Sequence, residues 1–104
     1  RIYHFGPDSC YIAEDRQQII GAIFGYTFPW SSGTDLFIQE LIVKREYRGG
    51  QIGESLITRV LDTISEETEV ILVQKKGSDM ARFCERHGIL QNTQYMFFSG
   101  KFIG

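Results

Sequence analysis

Between Val43 and Gly53 the chain reads Val-Lys-Arg-Glu-Tyr-Arg-Gly-Gly-Gln-Ile-Gly, an apolar run that ends in a basic, glycine-rich turn and leads straight into an amphipathic segment. Such a turn is suited to hold an anion. The first turn of a helix leaves N–H groups unpaired and carries about half a positive charge, and glycine lets a phosphate approach the main chain with no Cβ in the way. Arg48 adds a fixed positive charge beside Gly49 and Gly50. A P-loop is excluded, because no Gly-Lys-Ser or Gly-Lys-Thr closes the turn, and the spacing of Gly49, Gly50 and Gly53 is not that of the dinucleotide fingerprint. Glycines also serve turns that bind nothing, so the flanking elements decide what this one does.

Those elements follow from periodicity. Cys10 to Ala13 is a short apolar stretch, Glu14 to Gln18 a polar turn, and Ile19 to Phe28 a run rich in Ile, Phe, Tyr and Thr. Pro29, Ser31, Ser32 and Gly33 break the chain before Leu36 to Val43, which predicts an antiparallel meander of three strands. Its aromatic stripe, Phe24, Tyr26, Phe28 and Trp30, reads as sheet core, with Trp30 at the end placed to touch an acceptor. Ile52, Leu56, Ile57, Val60, Leu61 and Ile64 then recur on one face of a helix. Val70 to Val73 is an unbroken apolar run, expected as a strand covered on both faces and parallel to the one before the helix. Ser78 or Asp79 caps a second helix of about three turns, with Met80, Phe83, Cys84 and His87 on one side and Gly88 ending it in the left-handed region. Alternation around Tyr95, Phe97, Ser99 and Lys101 predicts a last strand. The expected class is α+β in a single domain.

With these elements in place, the chain resembles the GNAT superfamily of acyl-CoA-dependent N-acetyltransferases. Its signature is Arg or Gln, two residues, Gly, one residue, then Gly or Ala, and Arg48 and Gly53 match its ends. Val43, Tyr47 and Arg48 match the stretch that precedes it, whereas Gln51 stands where the inner Gly is usual. Downstream, Ala81, Phe83, Gly88 and Ile89 fit the family pattern, with Cys84 in the usual Tyr position. The resemblance runs roughly from Cys10 to the C-terminus, and Arg1 to Ser9 is too short for the strand and two helices with which the family begins. It therefore implies a compact or N-terminally truncated GNAT domain.

The resemblance implies transfer of an acetyl group from acetyl-CoA to a primary amine of a small molecule or protein, by direct attack. It assigns the cofactor to Leu41, Ile42 and Val43 on the strand and to Arg48, Gly49, Gly50, Gln51, Ile52, Gly53 and Glu54 at the turn and helix start. Gly50 would supply the local freedom that Gln51 lacks. Glu40 is the candidate base, flanked by Leu41 and Ile42 that would desolvate it, although strand alternation leaves Gln39 and Glu40 interchangeable in facing. Cys84 and Tyr95 are the candidate acids for the departing thiolate, and buried packing is the competing reading of the cysteine. His87 reads as a helix-end partner, and Lys75, Lys76, Arg82 and Arg86 as a basic rim for the phosphates of the adenosine end. A catalytically weak acyl-CoA-binding module is the alternative.

Composition narrows the partners. In 104 residues, 42% hydrophobic and 23% charged, there is room for one core. Net charge −2 and a pI near 5.6 provide no global basic field for nucleic acid or an anionic membrane surface. The apolar runs are far shorter than the roughly 20 residues of a membrane span. Nothing after Arg1 reads as a leader, and Cys10 and Cys84 are too few for a disulfide framework or metal quartet, so no metal and a cytoplasmic location are expected. A homodimer is the assembly considered.

Overall fold

The computed structural model describes residues 1–30, 33–65, 67–91 and 98–102, with only the main chain at residue 30. Five strands, β1 (Ile2–His4), β2 (Ser9–Asp15), β3 (Gln18–Trp30), β4 (Gly33–Val43) and β5 (Glu69–Ile71), form one sheet in sequence order. The first four are antiparallel in succession, and β5 joins β4 in parallel after a crossover helix, α1 (Ile52–Leu61). A single 3₁₀ turn, Arg45–Tyr47, links β4 to α1, and a second helix, α2 (Asp79–Arg86), follows β5. The fold is α+β, as the periodicity predicts. Among the described residues, no helix is long and apolar enough to cross a membrane.

The core lies between α1 and one face of the sheet. Leu56, Ile57 and Val60 project from α1 onto Ile23 and Leu36, all of them fully buried. Each such side chain is worth roughly 1.5–3 kcal/mol of burial, which is what holds a ten-residue helix too short to persist alone. The helix approaches β3 closely at Gly21. A Cβ there would lie 3.1 Å from the Ile42 carbonyl oxygen, 3.1 Å from Ile52 Cγ2 and 3.2 Å from Leu56 Cδ1. Gly21→Ala is therefore expected to lower stability by about 1–2 kcal/mol, read as a reduced midpoint of urea unfolding at unchanged slope.

β4 carries a bulge that decides what its far end presents. Phe24 pairs with Glu40 but Gly25 pairs with Ile38, so Gln39 is the extra residue. Before it, Leu36 and Ile38 point into the core; after it, Leu41 and Val43 do so, lying 3.8 and 3.6 Å from where a Gly53 Cβ would be. Unbroken alternation would have turned Glu40 and Ile42 inward. The bulge instead sets Glu40 beside Phe24 on the face away from α1.

α2 is capped as the sequence predicts. Ser78 Oγ accepts from the Ala81 N–H at 3.1 Å, and Gly88, at φ +80°, closes a Schellman motif in which the Ile89 N–H donates to the Cys84 carbonyl at 2.8 Å. With eight residues it is shorter than expected. The three-residue β1 escapes sequence reading because so short a segment shows no period. β5 is only partly buried and Val73 is 64% exposed, so the expectation of cover on both faces is corrected: among the described residues β5 pairs with β4 alone. Of the predicted last strand, Tyr95 and Phe97 lie outside the described residues, whereas Ser99 and Lys101 fall within residues 98–102, which have no regular structure, so the expectation is corrected there.

Candidate functional site

β4 and β5 are paired only from Asp35 with Glu69 to Phe37 with Ile71. Beyond that point β4 runs on from Ile38 to Val43 with no strand of the described residues along that edge, so the sheet splays open. A groove of about 800 Å³ occupies the gap, within the size range of small-molecule sites. Glu40 to Val43 form one wall, the turn from Tyr47 to Gly53 and Glu54 form the end, and Asp79, Met80, Arg82, Phe83 and Arg86 of α2 form the other wall.

The end of the groove has the properties of an anion site. Among the described residues, none of the main-chain N–H groups from Gly49 to Glu54 donates to a protein acceptor; the first α1 amide to do so is that of Ser55, to the Gln51 carbonyl at 2.8 Å. No side chain caps α1 either. Gly49, on the groove lining, takes φ +83°, a left-handed bend that glycine adopts without strain. The freedom expected of Gly50 is thus exercised one residue earlier, since a residue at the bend itself must reverse the chain direction.

Charge reinforces this geometry. Arg48 Nε donates to the Val43 carbonyl at 3.0 Å, which folds the side chain back over the turn, and the guanidinium has no carboxylate partner among the described residues. Apart from Glu40, the other charged residues on the groove have partners of opposite charge. Arg82 is bound to Asp79, and Glu54 bridges from α1 to Arg86 at 3.8 Å and His87 at 3.6 Å. An incoming diphosphate would therefore meet one uncompensated cation and a row of open amides.

Every residue read from sequence as contacting the cofactor borders this groove except Ile52, whose side chain turns to the core and Gly21. Glu40 borders it too but is exposed, so Leu41 and Ile42 do not enclose it as expected. Cys84 faces the core at 7% exposure and is absent from the groove walls; burial, with a smaller contribution from Glu85, pushes its thiol above the ordinary value. Tyr95 and the side chain of Trp30 lie outside the described residues. Arg82 and Arg86 line the groove as the rim reading requires, whereas Lys75 and Lys76 do not. His87 stacks on Phe83 at 4.3 Å, consistent with a helix-end partner. Sequence reading passed over Tyr47, Met80 and Phe83 as groove residues; the recurrence of Asp79, Arg82 or Phe83, and Arg86 along α2 is the signal that could have found that wall.

Residues 1–89 match the model of the acetyltransferase (GNAT) family. The chain belongs to that family. Among curated proteins, no sequence is similar enough to count as a match. Arabidopsis thaliana Naa50, solved in complex with the bisubstrate analogue CoA-Ac-MVNAL, is 27% identical with a TM-score of 0.68, over 78% of this chain and 56% of that one. A GNAT-family acetyltransferase from Streptococcus pneumoniae is 25% identical with a TM-score of 0.70, over 91% of this chain and 70% of that one. Glucosamine-6-phosphate N-acetyltransferase from Arabidopsis thaliana shares the fold, at 20% identity and a TM-score of 0.73, over 90% of this chain and 66% of that one. This GNAT chain thus spans little more than half the length of the Naa50 structure. Among its described residues no group of His, Cys, Asp and Glu is arranged to hold a metal.

Proposed function

We propose that the chain is a single GNAT domain that transfers an acetyl group from acetyl-CoA to a primary amine. The observation that carries this reading is the row of amides from Gly49 to Glu54 at the end of the groove, which have no protein acceptor among the described residues, beside an Arg48 guanidinium with no carboxylate partner among them. Those groups would bind the diphosphate. The edge of β4 from Ile38 to Val43, along which no strand of the described residues pairs, would offer main-chain groups to the pantetheine amides. That alignment would direct the thioester toward the bulge at Gln39 and hence toward Glu40.

Glu40 would then accept, through water, the proton that the ammonium must lose before its lone pair attacks the thioester carbonyl. After attack the nitrogen carries a positive charge and gives its second proton to water, and as the carbon–sulfur bond breaks the sulfur leaves as a thiolate that must be protonated. Tyr95 is the proposed donor, and Cys84 is disfavoured because its thiol packs in the core. Glu54 of α1 lies 3.8 Å from Arg86, a half-exposed ion pair that adds little to the apposition of the two walls. The two cysteines are unpaired, which supports a reducing compartment such as the cytoplasm.

Acetyl-CoA at about 100 times its dissociation constant would add roughly 2.7 kcal/mol to stability, so a rise in melting temperature of about 10 °C is expected. A melting temperature unmoved by millimolar acetyl-CoA would sink the reading. The core position of Cys84 favours one alternative, a module that binds acyl-CoA without efficient turnover. The two separate on thiol release with a panel of primary amines and N-terminal peptides: the transferase gives amine-dependent release, and the module gives stabilisation alone.

A further inference from the structure

The 3₁₀ turn that leads into Arg48 and Gly49 is tied to a part of the molecule that does not border the groove. Tyr47 Oη donates to Asp15 Oδ2 at 2.8 Å, across 32 positions of sequence, while the ring packs partly buried against the core. Asp15 ends β2, and the next two residues, Arg16 and Gln17, take φ 51° and 67°, a left-handed pair that non-glycine residues adopt only where their surroundings hold them. Two further bonds join the same hairpin end to the same stretch of chain. The Lys44 N–H donates to the Ile20 carbonyl at 2.7 Å, and Lys44 Nζ to Gln18 Oε1 at 3.5 Å.

Of these contacts, only the phenol reaches the residue that directly precedes Arg48. The bond to the Asp15 carboxylate raises the phenol above its ordinary pKa, so the donor keeps its proton throughout the physiological range. Breaking the bond would leave the turn held by its own main-chain bonds and by packing of the Tyr47 ring, without the tie to the β2–β3 turn that sets where Arg48 and Gly49 begin. The open amides would still exist but would be less firmly placed.

We propose that Tyr47 and Asp15 are a positioning pair, through which the β2–β3 turn sets the affinity of the groove for the diphosphate of coenzyme A. This rests on the acyl-CoA reading of the groove. It assigns a role to Asp15, a residue that borders no part of it.

The test compares binding of coenzyme A with binding of pantetheine, which lacks the diphosphate, in wild type, Tyr47→Phe, Asp15→Ala and Asp15→Asn. Loss of a hydrogen bond to a carboxylate is expected to weaken coenzyme A about tenfold in Tyr47→Phe and Asp15→Ala, with pantetheine changed less than about twofold. Asp15→Asn, whose amide oxygen still accepts, should recover most of the affinity, and Tyr47→Phe/Asp15→Ala should bind no worse than either single variant. A lower melting temperature with coenzyme A affinity intact, an equal loss for both ligands, or additive losses in the double variant would overturn the proposal. Wild type that fails to bind coenzyme A would overturn the groove reading itself, whereas wild-type binding that Tyr47→Phe leaves unchanged overturns this inference alone.

Discussion

Glu40→Gln is expected to lower kcat by about 10²- to 10³-fold while changing coenzyme A affinity less than about threefold. The substitution keeps the volume and the acceptor oxygen of the side chain but removes its capacity to hold a proton. At neutral pH an amine acceptor arrives mostly as an ammonium, whose lone pair is unavailable until a base has taken the proton. Glu40 is the carboxylate on β4 next to the bulge, on the open face of the sheet, and neither Asp79 nor Glu54 competes for the role because both are held by arginines. Coenzyme A affinity should survive because the proposed diphosphate contacts lie beyond Val43, on a different stretch of chain. Thiol release at saturating acetyl-CoA, with an amine that wild type turns over, reads the first quantity, and calorimetric titration reads the second. A loss in kcat smaller than about fivefold would assign the proton to another group. A parallel collapse of coenzyme A binding would mean that the carboxylate is structural.

Glu40 also shows where sequence reading stops. Its position three residues before Val43 was legible, and so was the turn, because glycines, a cation and a helix start leave a local trace of composition. Its facing was not. A bulge inserts one residue without altering composition, so Gln39 and Glu40 remain interchangeable until the register against Phe24 and Gly25 is known. The pairing of Tyr47 with Asp15 left no trace at all, since nothing in either residue's neighbours marks a contact between segments so far apart in sequence. Burial of Cys84 was inferable from the amphipathic pattern of α2, and the left-handed end at Gly88 from the glycine itself. The length of α2 was overestimated because capping residues mark the ends of a helix more sharply than periodicity counts its turns.

The second large effect belongs to the turn. Gly49→Val is expected to weaken coenzyme A at least about 30-fold and to lower the melting temperature by roughly 5–15 °C. The Cβ itself meets no clash, because nothing lies within 4 Å of it at Gly49. The cost is in the backbone: φ +83° is a conformation that a β-branched residue adopts only at about 1–3 kcal/mol. The chain can carry that strain or relieve it by moving Gly49 out of the left-handed region. Relief swings the amides of Gly50 to Glu54 away from the groove, which is why binding should fall further than stability. Gly49→Asn separates the two effects, since asparagine tolerates the left-handed region and should retain most of both. Gly50→Ala probes access instead. Its φ is not positive, and its Cβ would meet only the Tyr47 carbonyl oxygen, at an ordinary 3.5 Å, so the fold should hold. Weaker binding there would reflect a methyl group in the path of the phosphate. Were Gly49→Val to bind coenzyme A as wild type does, the amides beyond Arg48 would not be the diphosphate site, and the acyl-CoA reading of the groove would lose the observation on which it stands.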